Sequence, residues 1–242
     1  MDVGDDMASS TVSDDRKQLE HDRDEGRTTA QRFFHENGLS VVLFGTFLSC
    51  WALQIIFGLR TYNHDQHEHG QAQVTLSKYL RSGHFIEATA ENWESEFLQM
   101  GAFVWFTAFL FQRGSPESRD PYEEPEEAPL TDESPAPARK GGWILAIYAR
   151  SLSIAFLLMF IVSFWLHAIG GAWAYSEEQV AHGAPPVSLL GFMSRSEFWF
   201  QSFQNWQSEF LAILAMVVLA IFLRQLGSPE SKPVNTPHHQ ND

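Results

Sequence analysis

The sequence predicts an all-α, polytopic membrane protein with four transmembrane helices, built as two tandem parallel-repeat helical hairpins. Two observations predict it. The chain matches itself without a gap at an offset of 113 residues, 39–119 on 152–232, with 29 of the 81 pairs identical. A fixed-period self-match decides architecture before any local reading does. The identities fall in blocks: Asn92-Trp93 and Ser95-Glu96-Phe97-Leu98 recur as Asn205-Trp206 and Ser208-Glu209-Phe210-Leu211, and Gly114-Ser115-Pro116-Glu117-Ser118 recurs as Gly227-Ser228-Pro229-Glu230-Ser231. The second observation is segregation of charge. Residues 39–59 hold no charged side chain, and 151–173 hold only His167 as a titratable group. About 20 such residues at ~1.5 Å rise cover a hydrocarbon core of ~30 Å. The net charge of −14 and mean hydropathy of −0.19 therefore describe an average that no segment of the chain has.

Each element follows in order. Residues 1–32 are acidic and polar, cannot bury enough apolar area to order themselves, and are expected as a disordered tail. They lack a cationic start followed by an apolar stretch, so a cleaved signal peptide is not expected. Repeat 1 covers 33–113, with spans at 39–59 and 93–112. The second span is short unless it begins at Trp93, at the depth where amphipathic rings settle; that start carries Glu96 into the span. Gly114-Ser115-Pro116 then reads as a helix stop, glycine for the left-handed cap and proline for the break. Residues 114–142, acidic and proline-rich, read as an extended cytoplasmic linker. Repeat 2 covers 143–226, with spans at 151–173 and 206–225, and 227–242 is a polar C-terminal tail. The hairpin loops contain segments able to form a helical turn or two before each second span. In repeat 2 such a segment gathers Phe192, Phe198, Trp199, Phe203 and Trp206, either as an interfacial segment or as an aromatic plug between spans.

An even number of spans per repeat inserts both copies in the same direction, related by an axis along the membrane normal. Of the 16 Lys and Arg, 12 lie on the side of the termini and linker, and four (Arg60, Lys78, Arg81, Arg195) lie in the hairpin loops. The positive-inside rule places both termini and the linker in the cytoplasm. Cys50, the single cysteine, lies mid-span and excludes an intramolecular disulfide.

Three groups of residues are chemical candidates. Glu96 and Glu209 enter their spans one turn deep. With Asn92 and Ser95, and with Asn205 and Ser208, they form the same i, i+3, i+4 polar stripe in each copy. Facing each other, the two carboxylates would form a proton or cation site; the plainer account is an acid in the first helical turn, solvated and favoured by the helix dipole. His64, His67 and His69 could ligate a metal, but their spacing fits no standard site and the duplicate keeps only His69, as His182. His69-Gly70 and its copy read better as a turn, with glycine supplying a positive φ. His167 stands at the depth where the first copy has Gln54, and reads as interhelical polar glue or as part of the same intramembrane cluster. No nucleophile–base pair, phosphate loop or nucleic-acid patch is present, so neither an enzyme nor a cofactor is expected.

The tracts Phe33-Phe34…Asn37-Gly38, Tyr62-Asn63…His69-Gly70 and Glu91-Asn92-Trp93-Glu94-Ser95-Glu96-Phe97-Leu98-Gln99-Met100 resemble a bacterial membrane-protein family catalogued only as a domain of unknown function. The resemblance covers about residues 33–232 and implies the bacterial cytoplasmic membrane, multi-pass. The second copy departs from it with Gln204 and Gln207 where Glu91 and Glu94 stand, so a role needing all the carboxylates belongs to the first half. Two functions are expected: a proton or small-cation conduit, which four spans would support as a homo-oligomer, or a non-transporting scaffold or sensor with extracytoplasmic ligand- or partner-binding loops. The lipid bilayer is the one partner both share.

Overall fold

A computed structural model describes residues 28–122 and 128–241; it is all-helical, with no strand among the described residues. The chain divides into two compact units at Thr61/Tyr62. The boundary falls inside the first helix, α1 (Thr29–Glu68), which passes through it. The second unit holds α2 (Leu76–Tyr79), α3 (Gly83–Phe106), α4 (Ala136–Lys140), α5 (Gly142–Tyr148), α6 (Ser151–Ala181), α7 (Leu189–Met193) and α8 (Ser196–Phe222). Three helices, α1, α6 and α8, are long and apolar enough to cross a membrane. Of the fourth expected span, residues 93–106 lie in α3, which is not among them because Glu87, Glu91, Glu94 and Glu96 are spread through its first 14 residues.

In the first unit, α1 begins inside the stretch expected to be disordered as far as residue 32; residues 1–27 lie outside those described. The start has a local cause. Thr28 Oγ1 accepts from Gln31 N–H at 3.4 Å, and Gln31 Oε1 accepts from Thr28 N–H at 2.9 Å. This reciprocal Thr-x-x-Gln box satisfies two donors that a helix start leaves open. Cys50 is a free, exposed thiol.

In the second unit, the helices run further into the hairpin loops than the uncharged windows. The expected span starts at 93 and 206 lie ten residues inside α3 and α8. At the other end α3 stops at Phe106 rather than near 112, where Thr107 Oγ1 turns back onto the Phe103 carbonyl at 2.9 Å. α8 runs to Phe222, and Arg224 donates to the freed carbonyls of Ala220 and Ile221 at 3.3 and 3.1 Å. A cation there satisfies the acceptors a helix end exposes and complements its dipole.

The frame of the unit is α3 packed along α6, with α8 against α3. Small residues allow the approach. A Cβ on Gly83 would lie 2.6 Å from the Gly170 carbonyl oxygen, and one on Gly170 would lie 2.5 Å from the Glu87 nitrogen. Backbone-to-backbone crossing at glycine is the usual way helices gain van der Waals contact where surrounding lipid removes the hydrophobic drive. The plug reading of the aromatic segment holds for two of its five rings: Phe192 and Phe198 are fully buried beside Ala168 and Ala172, while Trp199 and Phe203 remain on the surface.

Local hydrogen bonding recurs at the 113-residue offset. Asn63 clasps both polar groups of the Val74 backbone, and Ser176 does the same to Val187. His69 and His182 each place Nδ1 2.8 Å from the carbonyl four residues earlier, ahead of Gly70 and Gly183 at φ +69° and +76°. At the linker end, Ser118 and Ser231 hydroxyls each accept a backbone N–H, from Gln112 and Gln225, at 2.8 Å.

The segment expected as a polar C-terminal tail is folded back onto this end. Lys232 is 1% exposed, its ammonium donating to the carbonyls of Pro237, His238 and Gln240. Asn241 Oδ1 accepts from Gly114 N–H at 2.6 Å, and its amide donates to the Ser118 carbonyl at 2.7 Å. Burial, and then the neighbouring Glu230 carboxyl, push the Glu117 carboxyl up to about 7. Of the linker expected to be extended, the described part includes the short helix α4, and α5 begins at its last residue; residues 123–127 lie outside those described.

Candidate functional site

Three acids of α3 share one helical face. Glu87, Glu91 and Glu94 stand at i, i+4 and i+7, the spacing that stacks side chains along a single stripe. That stripe meets His167 of α6 and the amides of α8. Glu94 and His167 are each 0% exposed, and His167 Nδ1 lies 2.6 Å from Glu94 Oε2. The other Glu94 oxygen accepts from Trp206 Nε1 at 3.0 Å. His167 Nε2 lies 3.3 Å from Gln201 Oε1, and Gln201 Nε2 donates to Glu87 Oε1 at 3.0 Å. Asn205 Nδ2 donates to Glu91 Oε1 at 2.6 Å. The Phe198 ring tilts over the imidazole with centroids 4.9 Å apart.

A buried charged or titratable group is tolerated only when its polar atoms are paired, and here both carboxylate oxygens and both ring nitrogens have partners. A bond of 2.6 Å between imidazole and carboxylate is in the short, charge-assisted range. The arrangement is a continuous chain of hydrogen-bonding groups, Glu87–Gln201–His167–Glu94–Trp206, along which a proton has titratable stations at Glu87, His167 and Glu94. Its outer member, Glu87, together with Gln201, lines a polar cavity of about 730 Å3 built from the end of α1, the α1–α2 loop and the C-terminal turns of α6.

The structure places the expected site residues differently. Glu96 is exposed and Glu209 half-buried, and neither lines this cavity. Two residues along a helix is a turn of about 200°, so Glu96 lies off the stripe that reaches His167; its carboxylate is near enough to that of Glu209 on α8 to act on it electrostatically. Asn92 is exposed and bonds back to the Ala88 carbonyl; Ser95 and Ser208 bond back to the carbonyls of Asn92 and Asn205. The shared stripe is therefore largely self-satisfied within its own helix. Of that stripe only Asn205 reaches across, to Glu91, and His167 joins the cluster through Glu94 rather than through Glu96 or Glu209.

The metal expectation also changes. His64 pairs with Glu68 at 3.4 Å and His69 turns onto its own backbone. Among the described residues no three His, Cys, Asp or Glu converge as a metal site would require, so His64, His67 and His69 do not form one.

The residues that sequence reasoning did not assign to this cluster are Glu87, Glu94, Gln201 and the glycines Gly83 and Gly170. A signal for the first two was present. Glu87, Glu91 and Glu94 fall on one face of α3, and each is replaced in the other copy, by Phe200, Gln204 and Gln207.

A family described as a domain of unknown function (DUF6766) matches residues 30–242. No curated protein and no solved structure matches the chain. With 30–242 of its 242 residues matched, the chain belongs to the DUF6766 family.

Proposed function

We propose that this protein is a multi-pass protein of the bacterial cytoplasmic membrane that binds and releases a proton at the buried Glu94–His167 pair, as one station of a proton or small-cation conduit. The topology in this reading is four spans in two tandem hairpins, α3 serving as the span that composition alone does not select. Its 24 residues rise about 36 Å, enough to cross. Both termini and the linker lie in the cytoplasm, and the cavity opens on the outer side. The observation that carries the reading is the pair itself: an imidazole and a carboxylate, both wholly buried, joined through Gln201 to a carboxylate on a cavity wall. Ionisable residues at membrane depth are costly and mark proton or ion paths more often than structure alone.

A sensor that binds a proton without passing it on is the second reading. One observation favours it: the chain of polar groups ends on the Trp206 indole, which donates but cannot accept.

The test is reconstitution of the full chain into vesicles holding a pH-sensitive dye, with a pH step imposed outside. The conduit reading expects the step to equalise across the wild-type vesicles and to persist in Glu94→Gln/His167→Gln vesicles. The sensor reading expects no equalisation but a pH-dependent tryptophan emission change, through Trp206, that disappears in the same variant. Neither flux nor an emission change in wild type overturns both.

A further inference from the structure

The cavity in front of the polar chain has a composition of its own. Its walls bring together Asp65, Glu87, Glu177, Glu178 and Glu197, opposed by the single ammonium of Lys78. At about 730 Å3 it falls within the range of small-molecule sites. An excess of carboxylates in a concave, partly desolvated space focuses negative potential and selects positive ligands.

The walls are not only acidic. Tyr62 and Tyr175, equivalent residues of the two copies, both line the cavity. The Arg195 guanidinium already rests over the Tyr175 ring, 4.5 Å from its centroid. Arg195 does not itself line the cavity, but the contact lies in the distance range where a ring quadrupole attracts a cation. On the first-copy side, Tyr62 packs against Tyr79 and His84 with centroids 5.7 and 5.5 Å apart, and its hydroxyl donates to Glu177 at 3.1 Å. His84 lines the same side of the cavity.

We infer that this cavity is a binding site for a small organic cation bearing a guanidinium or ammonium group, held by its carboxylates and by the tyrosine-lined wall. A bare or hydrated metal ion fits less well. No three ligand side chains converge among the described residues, and the space is far larger than a cation and its first water shell. An anion would meet five carboxylates. The inference rests on the proposed role of the same region, since a cation arriving beside Glu87 would bear on the proton chain that begins there. It is nevertheless measured separately, by binding rather than by flux.

The experiment is calorimetric titration of the purified full chain in nanodiscs with agmatine, which carries a guanidinium at one end and an ammonium at the other, at fixed ionic strength. Glutamate and magnesium chloride serve as comparison ligands. The expected result is saturable agmatine binding that Glu177→Gln/Glu178→Gln weakens about tenfold or more, the cost of losing charge-assisted bonds, with no binding of glutamate. Both positions are exposed, so the variant is expected to fold. No agmatine binding, binding indifferent to the Glu177 and Glu178 changes, or displacement of agmatine by magnesium at equal concentration would each overturn the inference. Agmatine binding with no proton signal would leave it standing and remove the proton reading alone.

Discussion

Helices α3 and α8 occupy matching places in the two copies and start at matching residues, Gly83 and Ser196, yet they present different chemistry. Down its buried face α3 carries Glu87, Glu91 and Glu94, where α8 carries Phe200, Gln204 and Gln207. The same substitution of amide for titratable group separates Gln54 from His167. Of the blocks the copies share, Asn92, Ser95 and Ser208 bond within their own helices, while Asn205 and Trp206 reach across to Glu91 and Glu94. What only one copy holds is drawn into the interior, where α3, α6 and α8 meet. The residues shared at the 113-residue offset recur along the frame, and the departures from that self-match supply the titratable groups.

The largest expected break in this comparison comes from removing one member of the buried pair. Glu94→Gln or His167→Ala should destabilise the detergent-solubilised protein by about 3–5 kcal/mol, because the remaining group is left buried and unpaired. Gln207→Ala, at the exposed counterpart, should change stability by no more than about 0.5 kcal/mol. Glu94→Gln/His167→Gln, which gives each member of the pair the neutral residue found at its counterpart position, Gln207 and Gln54, should recover most of the loss. Thermal unfolding of the four proteins measures this, and a double variant no more stable than the singles would show that the charge itself is needed.

Next in size is the helix crossing. Gly170→Leu forces a side chain into the Glu87 backbone and should cost about 1–3 kcal/mol or more, visible as separation of α3 from α6 in cysteine cross-linking. The counterpart of Gly170 is Phe57, exposed in α1, and Phe57→Leu should leave that cross-linking unchanged.

Of comparable size is the Glu91–Asn205 bond. Asn205→Ala should cost about 1.5–3 kcal/mol if Glu91 is ionised, since it removes a hydrogen bond to a charged group. Asn92→Ala, its counterpart, loses only a bond to its own helix and should cost less. Equal losses would mean the cross-helix bond contributes nothing beyond the local one.

The smallest effect is one of pH, at the end where Glu117 and Glu230, another equivalent pair, lie side by side. A carboxyl raised from 4.5 to about 7 in the folded protein prefers its protonated form there. The unfolded chain releases that proton at lower pH, so the folded arrangement loses support as pH rises between about 4.5 and about 7, and keeps it below. Proteolysis of the docked C-terminal segment should therefore quicken from pH 5 to pH 7.5, and Glu117→Gln should flatten the dependence. A profile that is already flat in the wild type would remove Glu117 from this role.

Much of the helical frame was legible because it rests on local rules. Uncharged runs place α1, α6 and α8, the shared His-Gly turns place positive-φ glycines, and Gly-Ser-Pro follows each second helix. What the sequence left open at the site was helical phase. Glu96 and Glu209 drew attention as the acids both copies keep, and they act on each other electrostatically, but the stripe of Glu87, Glu91 and Glu94 is the one that meets His167, and only the packing of α6 decides that. The early start of α3 and α8 was hidden by their charges, since an uncharged window cannot register a span whose acids are partnered.

By itself the sequence determined that this chain is helical, internally repeated and apolar in blocks, because helix period, charge segregation and self-similarity are properties of residue order along one strand of chain. Only the tertiary structure decided that Glu94 meets His167, that Glu87 opens on a cavity walled by both copies, and that the C-terminal segment closes over Gly114. Each of these joins residues separated by tens of positions or more, and which of them meet is set by backbone approach at Gly83 and Gly170, by how far each helix is rotated about its axis, and by the cost of leaving a buried polar atom without a partner.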